Sequence, residues 1–298
     1  MKVVITGASG FVGQNLSKYL IDERIEVSPI CMRNDWNYPR DADAIIHLAG
    51  KAHDTQNISS EHEYFKVNTD LTKRIFDEFI SSEIKDFIYF SSVKAVADEV
   101  ADVLYEDHAG EPKTPYGKSK LLAEEYLLSQ KLPDTKRLFI IRPCMIHGPG
   151  NKGNLNLLYK IVKKGIPWPL AAFENNRSFL CIDNLNFLLL ELLKRKEIKS
   201  GIYNFADDDY LSTNELIEII DEALDKKTPQ LKIYPNIIKS ISKIGDKLKF
   251  SLNSERLKKL TENYKVSNQK IKRQLNIRAL PTSTKEGLIK TIKSFEHK

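Results

Sequence analysis

The sequence predicts an α/β fold, a doubly wound parallel sheet carrying a smaller mixed α/β lobe. Three observations lead there. Short apolar strands alternate with amphipathic helical stretches over roughly the first half of the chain. A glycine-rich turn falls between the first strand and the first helix, and beyond Pro143 the alternation loosens into helices and short strands. The length of 298 residues suits one large domain or one plus a small appendage.

Lys2 to Thr6 reads as a buried strand, and the helix after it repeats apolar Val12, Leu16 and Leu20 every four residues. Glu26 to Ile30 and Ala44 to Ala49 are the next strands. The residues between them are too few for a complete crossover, so part of the usual wiring is trimmed. A helix over about Glu61 to Ser81 turns Phe65, Leu71, Ile75 and Phe79 inward, and the strand Asp86 to Phe90 runs into Ser91 and Ser92. A helix opened by Pro115 follows, then the strand Arg137 to Ile141. After these come the loop HGPGNKGN, a helix from Leu155 to Lys164, the turn GIPWPL and a strand near Arg177 to Ile182. Residues 1–145 with returning segments form the first domain. Residues 146–298 form most of a small lobe interleaved with it.

Composition excludes several classes. With 41% hydrophobic and 29% charged residues the chain is an ordinary globular protein. No apolar run approaches the roughly 20 residues of a spanning helix. Met1 leads into the apolar Val3 to Ile5 without a longer apolar region behind it, so no signal peptide is expected. Cys31, Cys144 and Cys181 are scattered without metal-ligand spacing, and His53 and His147 have no ligand partners at suitable spacing. A reducing cytoplasm, no disulfide framework and no metal are expected. The net charge of +6 is spread along the chain, which fits a solvated surface better than a nucleic-acid groove.

The turn VVITGASGFVG spaces Gly7, Gly10 and Gly13 three apart between a strand and a helix. There the backbone must turn sharply and approach a pyrophosphate, whose charge meets the helix N-terminal amides. This context predicts a Rossmann-type dinucleotide site. TPYGKSK places Tyr116 and Lys120 one turn apart on a helix, close enough for an ammonium to sit beside a phenol. Taken alone, the pair fits either a helix surface or an acid-base centre.

Taken together, TGASGFVG, HLAG, Val67-Asn68-Thr69, FSSVK, PYGKSK and IRPCMIHGPG resemble, in order, the motifs of the extended short-chain dehydrogenase/reductase superfamily, in its NAD-dependent epimerase/dehydratase branch. HLAG resembles the end of the family's fourth strand. The resemblance continues through GNKGNLNLLYKIVKKGIPWPL, NNRSFLCIDNL and YNFADDDYLSTNEL, and so spans nearly the whole chain. It is nearest to a subgroup with an SSVKVNG-like segment, which includes hexosamine 4-epimerases and 4-keto-sugar reductases of surface-polysaccharide synthesis.

The resemblance implies roles. Tyr116 exchanges the hydroxyl proton, Lys120 holds the ribose and lowers the phenol's pKa, and Ser92 hydrogen-bonds the reacting oxygen, with Ser91 the alternative. The segment ends Ala95-Val96-Ala97 where relatives carry a Val-Tyr-Gly-like turn, and Lys94 is a subgroup feature or a solvated lysine. NAD or NADP would be held by Gly7, Ser9, Gly10, Phe11, Gly13, Leu48, Ala49, Gly50, Asn68, Ser91, Tyr116, Lys120 and Pro143. Cys31 stands where an NAD enzyme places its ribose-binding acid, with Arg33 just beyond, which leans towards NADP. Arg177 would grip a nucleotide diphosphate, with Lys152 and Asn154 lining the diphosphate and sugar.

The implied activity is 4-epimerisation of a UDP-hexose or UDP-hexosamine through a transient 4-keto sugar. An NADPH-dependent 4-keto-sugar-nucleotide reductase is the alternative, and a non-catalytic dinucleotide sensor the alternative of another class. The resemblance also implies a homodimer through the helices holding Tyr116 and Glu61 to Ser81. Finally, Asn236 to Phe250 aligns Ile237, Ile241, Ile244 and Leu248 on one face among lysines. That face is expected to pack on the small lobe, the alternative being an anionic membrane.

Overall fold

The computed structural model describes residues 1–32, 36–37, 39–51, 60–151, 155–248 and 253–296, the side chains of 247 and 248 excepted. Strands β1 (Lys2–Thr6), β2 (Glu26–Ile30), β3 (Ala44–His47) and β4 (Asp86–Phe90) precede the short β5 (Val103–Leu104). β6 (Arg137–Pro143), β7 (Met145–His147), β8 (Arg177–Cys181), β9 (Gly201–Phe205), β10 (Tyr210–Leu211) and β11 (Lys265–Val266) complete them. Six form one parallel sheet in the order β2-β1-β3-β4-β6-β9. Val3 pairs with Val27 on one side and Ala44 on the other, so the chain reverses direction across the sheet at β1. Ligands bind such sheets outside the strand carboxyl ends at this reversal.

The trimmed connection is visible in that order: β2 is an edge strand, and among the described residues no strand lies outside it. Pro29, which cannot donate to a ladder, is tolerated at an edge. HLAG accordingly closes the third strand of this chain, as the trimmed connection predicts.

Alternate residues of each strand face opposite layers. Val3, Ile5, Ala44, Ile46, Ile88, Phe139 and Ile141 meet α1 (Phe11–Asp22), whose Leu16 and Leu20 are fully buried. Val4, Ile45, Phe87, Tyr89 and Ile140 face the opposite layer. That layer holds α2 (Glu61–Phe65), α3 (Leu71–Ile80) and α4 (Pro115–Ser129). Each fully buried aliphatic contributes roughly 1.5–3 kcal/mol relative to exposure.

The expected helix over 61–81 is interrupted. Lys66–Asp70 winds as a π-turn between α2 and α3. The extra residue shifts the inward line, so Tyr64, Asn68, Thr72 and Phe76 are buried while Phe65 and Leu71 are only partly so. Ile75 and Phe79 face inward as the spacing predicts.

Later helices are α5 (Leu155–Lys163), α6 (Ile182–Lys194), α7 (Thr213–Leu224), α8 (Pro235–Leu248), α9 (Ser254–Thr261), α10 (Gln269–Leu275) and α11 (Thr284–Lys293). α6 joins α1 on the main sheet. A second core gathers Leu158, Trp168, Phe179, Ile217, Ile238 and Leu288 around the small sheet β10-β8-β7.

One expectation for this lobe fails: Ile237, Ile241 and Ile244 are exposed, and α8 buries Ile238, Ser242 and Gly245 instead. The small Ser242 and Gly245 let the helix approach closely along a line that the isoleucine stripe does not share. Among the described residues no helix is long and apolar enough to cross a membrane.

Candidate active site

The glycine turn lies at the carboxyl end of β1. Gly7 adopts a φ of +71°, and a Cβ there would stand 2.7 Å from the backbone nitrogen of Ala49. A Cβ on Gly13 would stand 2.4 Å from the Gly7 carbonyl oxygen, so α1 reaches the turn only without a side chain. Gly10 caps α1 without a side-chain hydrogen bond, and no acidic residue occupies the first turn. The helix-opening amides beside exposed Ser9 and part-buried Phe11 therefore suit an anion, and the cradle fits a dinucleotide pyrophosphate.

A buried polar chain sets the neighbouring strand end. Thr6 Oγ1 contacts His47 Nδ1 at 2.7 Å, and His47 Nε2 contacts Thr72 Oγ1 at 3.0 Å. Burial first, then the nearby Lys120 charge, pushes His47 down to about 3, so its ring is neutral. The Ala49 amide donates to Thr6 Oγ1, fixing Leu48-Ala49-Gly50 beside the glycine turn. A Cβ on Gly50 would lie 3.2 Å from Lys120 Nζ. Asn68, fully buried in the π-turn, accepts from the Lys51 amide and donates to the Lys51 carbonyl and Ser119 Oγ. It ties this loop to α4.

Tyr116 and Lys120 sit on the first turns of α4. Thr114 caps the helix by accepting from the Gly117 amide, and Pro115 holds the first position. Gly117, between the pair, is needed for packing: a Cβ there would meet the Lys94 carbonyl oxygen at 2.4 Å. Lys120 is buried, its Nζ donating to the Phe90 carbonyl at 2.6 Å and lying 4.9 Å from the Tyr89 ring centroid. Burial depresses Lys120 to about 8 while Glu124, one turn on, opposes the fall.

The two serines after β4 point to different places. Ser91 donates to the Glu124 carboxylate, which also holds buried Arg142 in a 2.5 Å ion pair. Ser92 hydrogen-bonds the Tyr116 phenol and caps the short turn at Val93–Ala95. Burial raises the Tyr116 pKa, and the Ser92 hydrogen bond works against that rise.

A cavity of about 470 Å³ opens beside this centre, lined by Ser92, Tyr116, Pro143, Arg177 and Tyr264 among others. Arg177 donates to the Lys259 carbonyl and lies 3.6 Å from Glu262. Its pKa is lowered by burial and supported by Glu262. Lys94 lines the same cavity, its Nζ 4.1 Å from the Tyr264 ring centroid and donating to the Asp98 carbonyl at 2.8 Å. It is a desolvated cation whose pKa burial lowers, not a solvated lysine.

Lys259, Glu262 and Tyr264 belong to the wall although their sequence gives no sign of it, being an ordinary charged helix and its exit. Arg33, His53, Lys152 and Asn154 lie outside the described residues. Cys31, at the end of β2, is exposed. His147 is buried and contacts Thr291 Oγ1 at 2.9 Å, as part of the lobe's interior.

A dinucleotide cradle at the sheet reversal and a Tyr-Lys helix whose tyrosine lines a cavity together with Arg177 define a nicotinamide-dependent enzyme of the short-chain dehydrogenase type. The chain belongs to the NAD dependent epimerase/dehydratase family, whose model matches residues 3–206. It is 28% identical over 319 residues to a UDP-glucose 4-epimerase of Vibrio cholerae, covering 98% of this chain and 95% of the relative. It is 30% identical over 284 residues to the N-acetyl-α-D-glucosaminyl-diphospho-ditrans,octacis-undecaprenol 4-epimerase of Escherichia coli O157:H7, covering 86% and 84%. Among solved structures, MoeE5 in complex with UDP-glucuronic acid and NAD superposes with a TM-score of 0.77 at 17% identity, covering 100% of this chain and 99% of that one.

Proposed function

We propose that the protein is a cytoplasmic NAD(P)-dependent 4-epimerase of a UDP-hexose or UDP-hexosamine, serving surface-polysaccharide precursor synthesis. The observation that carries this reading is the Ser92–Tyr116 hydrogen bond at a cavity that Arg177 also lines. Tyr116 takes the C4 hydroxyl proton and later returns it, while Ser92 orients the same oxygen. The Lys120 ammonium holds the ribose and favours phenolate once the phenol is ionised. Arg177, with Lys152 and Asn154, grips the diphosphate. The glycine turn, Leu48-Ala49-Gly50, Asn68, Ser91 and Pro143 hold the dinucleotide. That cofactor, when bound, accepts hydride from C4 and gives it back, so no net oxidation occurs.

Purified protein incubated with UDP-glucose or UDP-N-acetylglucosamine should form the C4 epimer. Tyr116→Phe should lower kcat by about 10²- to 10⁴-fold without altering the melting temperature. If the variant turned over every candidate sugar at the wild-type rate, the assignment of Tyr116 would fail.

A 4-keto-sugar reductase is the second reading, favoured by exposed Cys31 where an acid would hold the NAD ribose. The dinucleotide released on denaturation separates the two. Stoichiometric NAD supports the closed epimerase cycle, whereas empty protein that binds NADPH supports the reductase and gives Arg33 a role. The diphosphate that Arg177 would grip is common to a nucleotide carrier and to the lipid carrier of the Escherichia coli relative, so both substrates belong in the assay. A homodimer through α3 and α4 completes the reading, supported by Leu122 and Leu128, which α4 leaves 44% and 53% exposed.

A further inference from the structure

The stripe that α8 leaves in solvent has no role in the site just described. Ile237, Ile241 and Ile244 are 51%, 46% and 54% exposed, and Tyr234 just before the helix is 79% exposed. The isoleucines recur at i, i+4 and i+7, which sets them in one line along the helix. Single exposed apolar residues are ordinary, but an aligned series marks a surface meant to be covered.

Charge says what covers it. Residues 226–248 contain six lysines and one aspartate, which accounts for most of the chain's +6 excess. The aspartate, Asp246, accepts from both the amide and the hydroxyl of Ser254. Lys232, Lys239 and Lys243 are exposed. A helix is about 10–12 Å across, and an interfacial helix sinks its apolar face about 5–10 Å into the headgroup boundary, which brings lysines behind the stripe within the Debye length of about 8 Å at physiological salt. Across a two-fold interface between copies of this chain, the same patch would meet itself and offer the excess no opposite charge.

We propose that α8 docks the enzyme on an anionic lipid bilayer, seating Ile237, Ile241 and Ile244 at the headgroup–acyl boundary. An amphipathic helix with a basic polar face lies in that plane by apolar burial and electrostatic attraction together. α8 packs against α9, whose Lys258 and Lys259 line the cavity, so docking sets the cavity wall one helix away from the membrane. The inference depends neither on which sugar is turned over nor on its carrier.

Flotation of the full chain with vesicles tests it. The wild type should float with phosphatidylcholine vesicles containing phosphatidylglycerol, and should be released from them by salt. Ile241→Ser/Ile244→Ser should weaken binding on the order of 10- to 100-fold, and Lys239→Gln/Lys243→Gln on the order of tenfold. All four positions are exposed, and thermal melts should confirm that the variants fold as the wild type does. Failure of the wild type to bind, binding that ignores phosphatidylglycerol, or wild-type binding by the isoleucine variant would each overturn the proposal. If the isoleucine variant halves the mass in light scattering and still floats, the stripe belongs to a second copy of the chain and the proposal also falls.

Discussion

Lys120 shows at the scale of one residue how function works against stability. The ordinary lysine value is 10.5, and burial beside the sheet brings this one to about 8. Between those values the unfolded chain holds a proton that the folded chain has released, so the site's contribution to stability rises with pH there. Below pH 8 the folded state carries the full cost of a buried ammonium, roughly 3 kcal/mol for a shift of this size. Urea melts of the wild type and Lys120→Met should therefore show the difference between them moving in favour of the wild type by up to about 3 kcal/mol from pH 7 to pH 10.5. A constant gap would mean that the amine is not titrating in this window. The Tyr116–Lys120 spacing was readable in the sequence because i and i+4 on a helix share a face. The preference for Ser92 over Ser91 followed from family resemblance alone, since the turn that aims one hydroxyl at Tyr116 and the other at Glu124 is not readable from two adjacent serines.

Among the elements, the join of β1 to α1 carries the most specific demand on sequence. Gly13→Ala would place a methyl group 2.4 Å from a carbonyl oxygen of the turn, and α1 must back away to relieve the contact. Overpacking of this kind costs about 1–3 kcal/mol, and the displaced helix should weaken dinucleotide binding at least tenfold, measured by fluorescence titration. The strands and glycine turn were legible because period-two burial and glycine spacing are local properties. The π-turn was not, since a five-residue change of winding leaves composition and apparent helical spacing nearly unaltered. The inward line of α8 was misread for a related reason. Its isoleucines make the stronger periodic signal, but Ser242 and Gly245 are what allow the helix to seat.

For the molecule as a whole, the proposed dimer predicts a solution mass of twice 34.2 kDa in light scattering. Leu122→Ser/Leu128→Ser should return it to the monomer value, because covering the exposed halves of four leucines, two from each copy, contributes roughly 3–6 kcal/mol to such an interface. A monomer in the wild type would remove this part of the reading. The parallel sheet could be foreseen from the alternation of strands and helices. Arg177 was named through the family resemblance, but the rest of that cavity wall could not be, because Lys259, Glu262 and Tyr264 meet Ser92 and Tyr116 only through long-range packing that no short stretch encodes.

The same wall is made late. Tyr264 reaches back to the Val93 and Ala97 carbonyls, and β11 pairs with β5. At about 5–20 residues per second, a ribosome needs on the order of 10–30 s to pass from Tyr116 to Tyr264. During that interval the glycine cradle is outside the exit tunnel while the cavity still lacks one side. A nascent chain can thus be ready for its dinucleotide before it can hold a sugar.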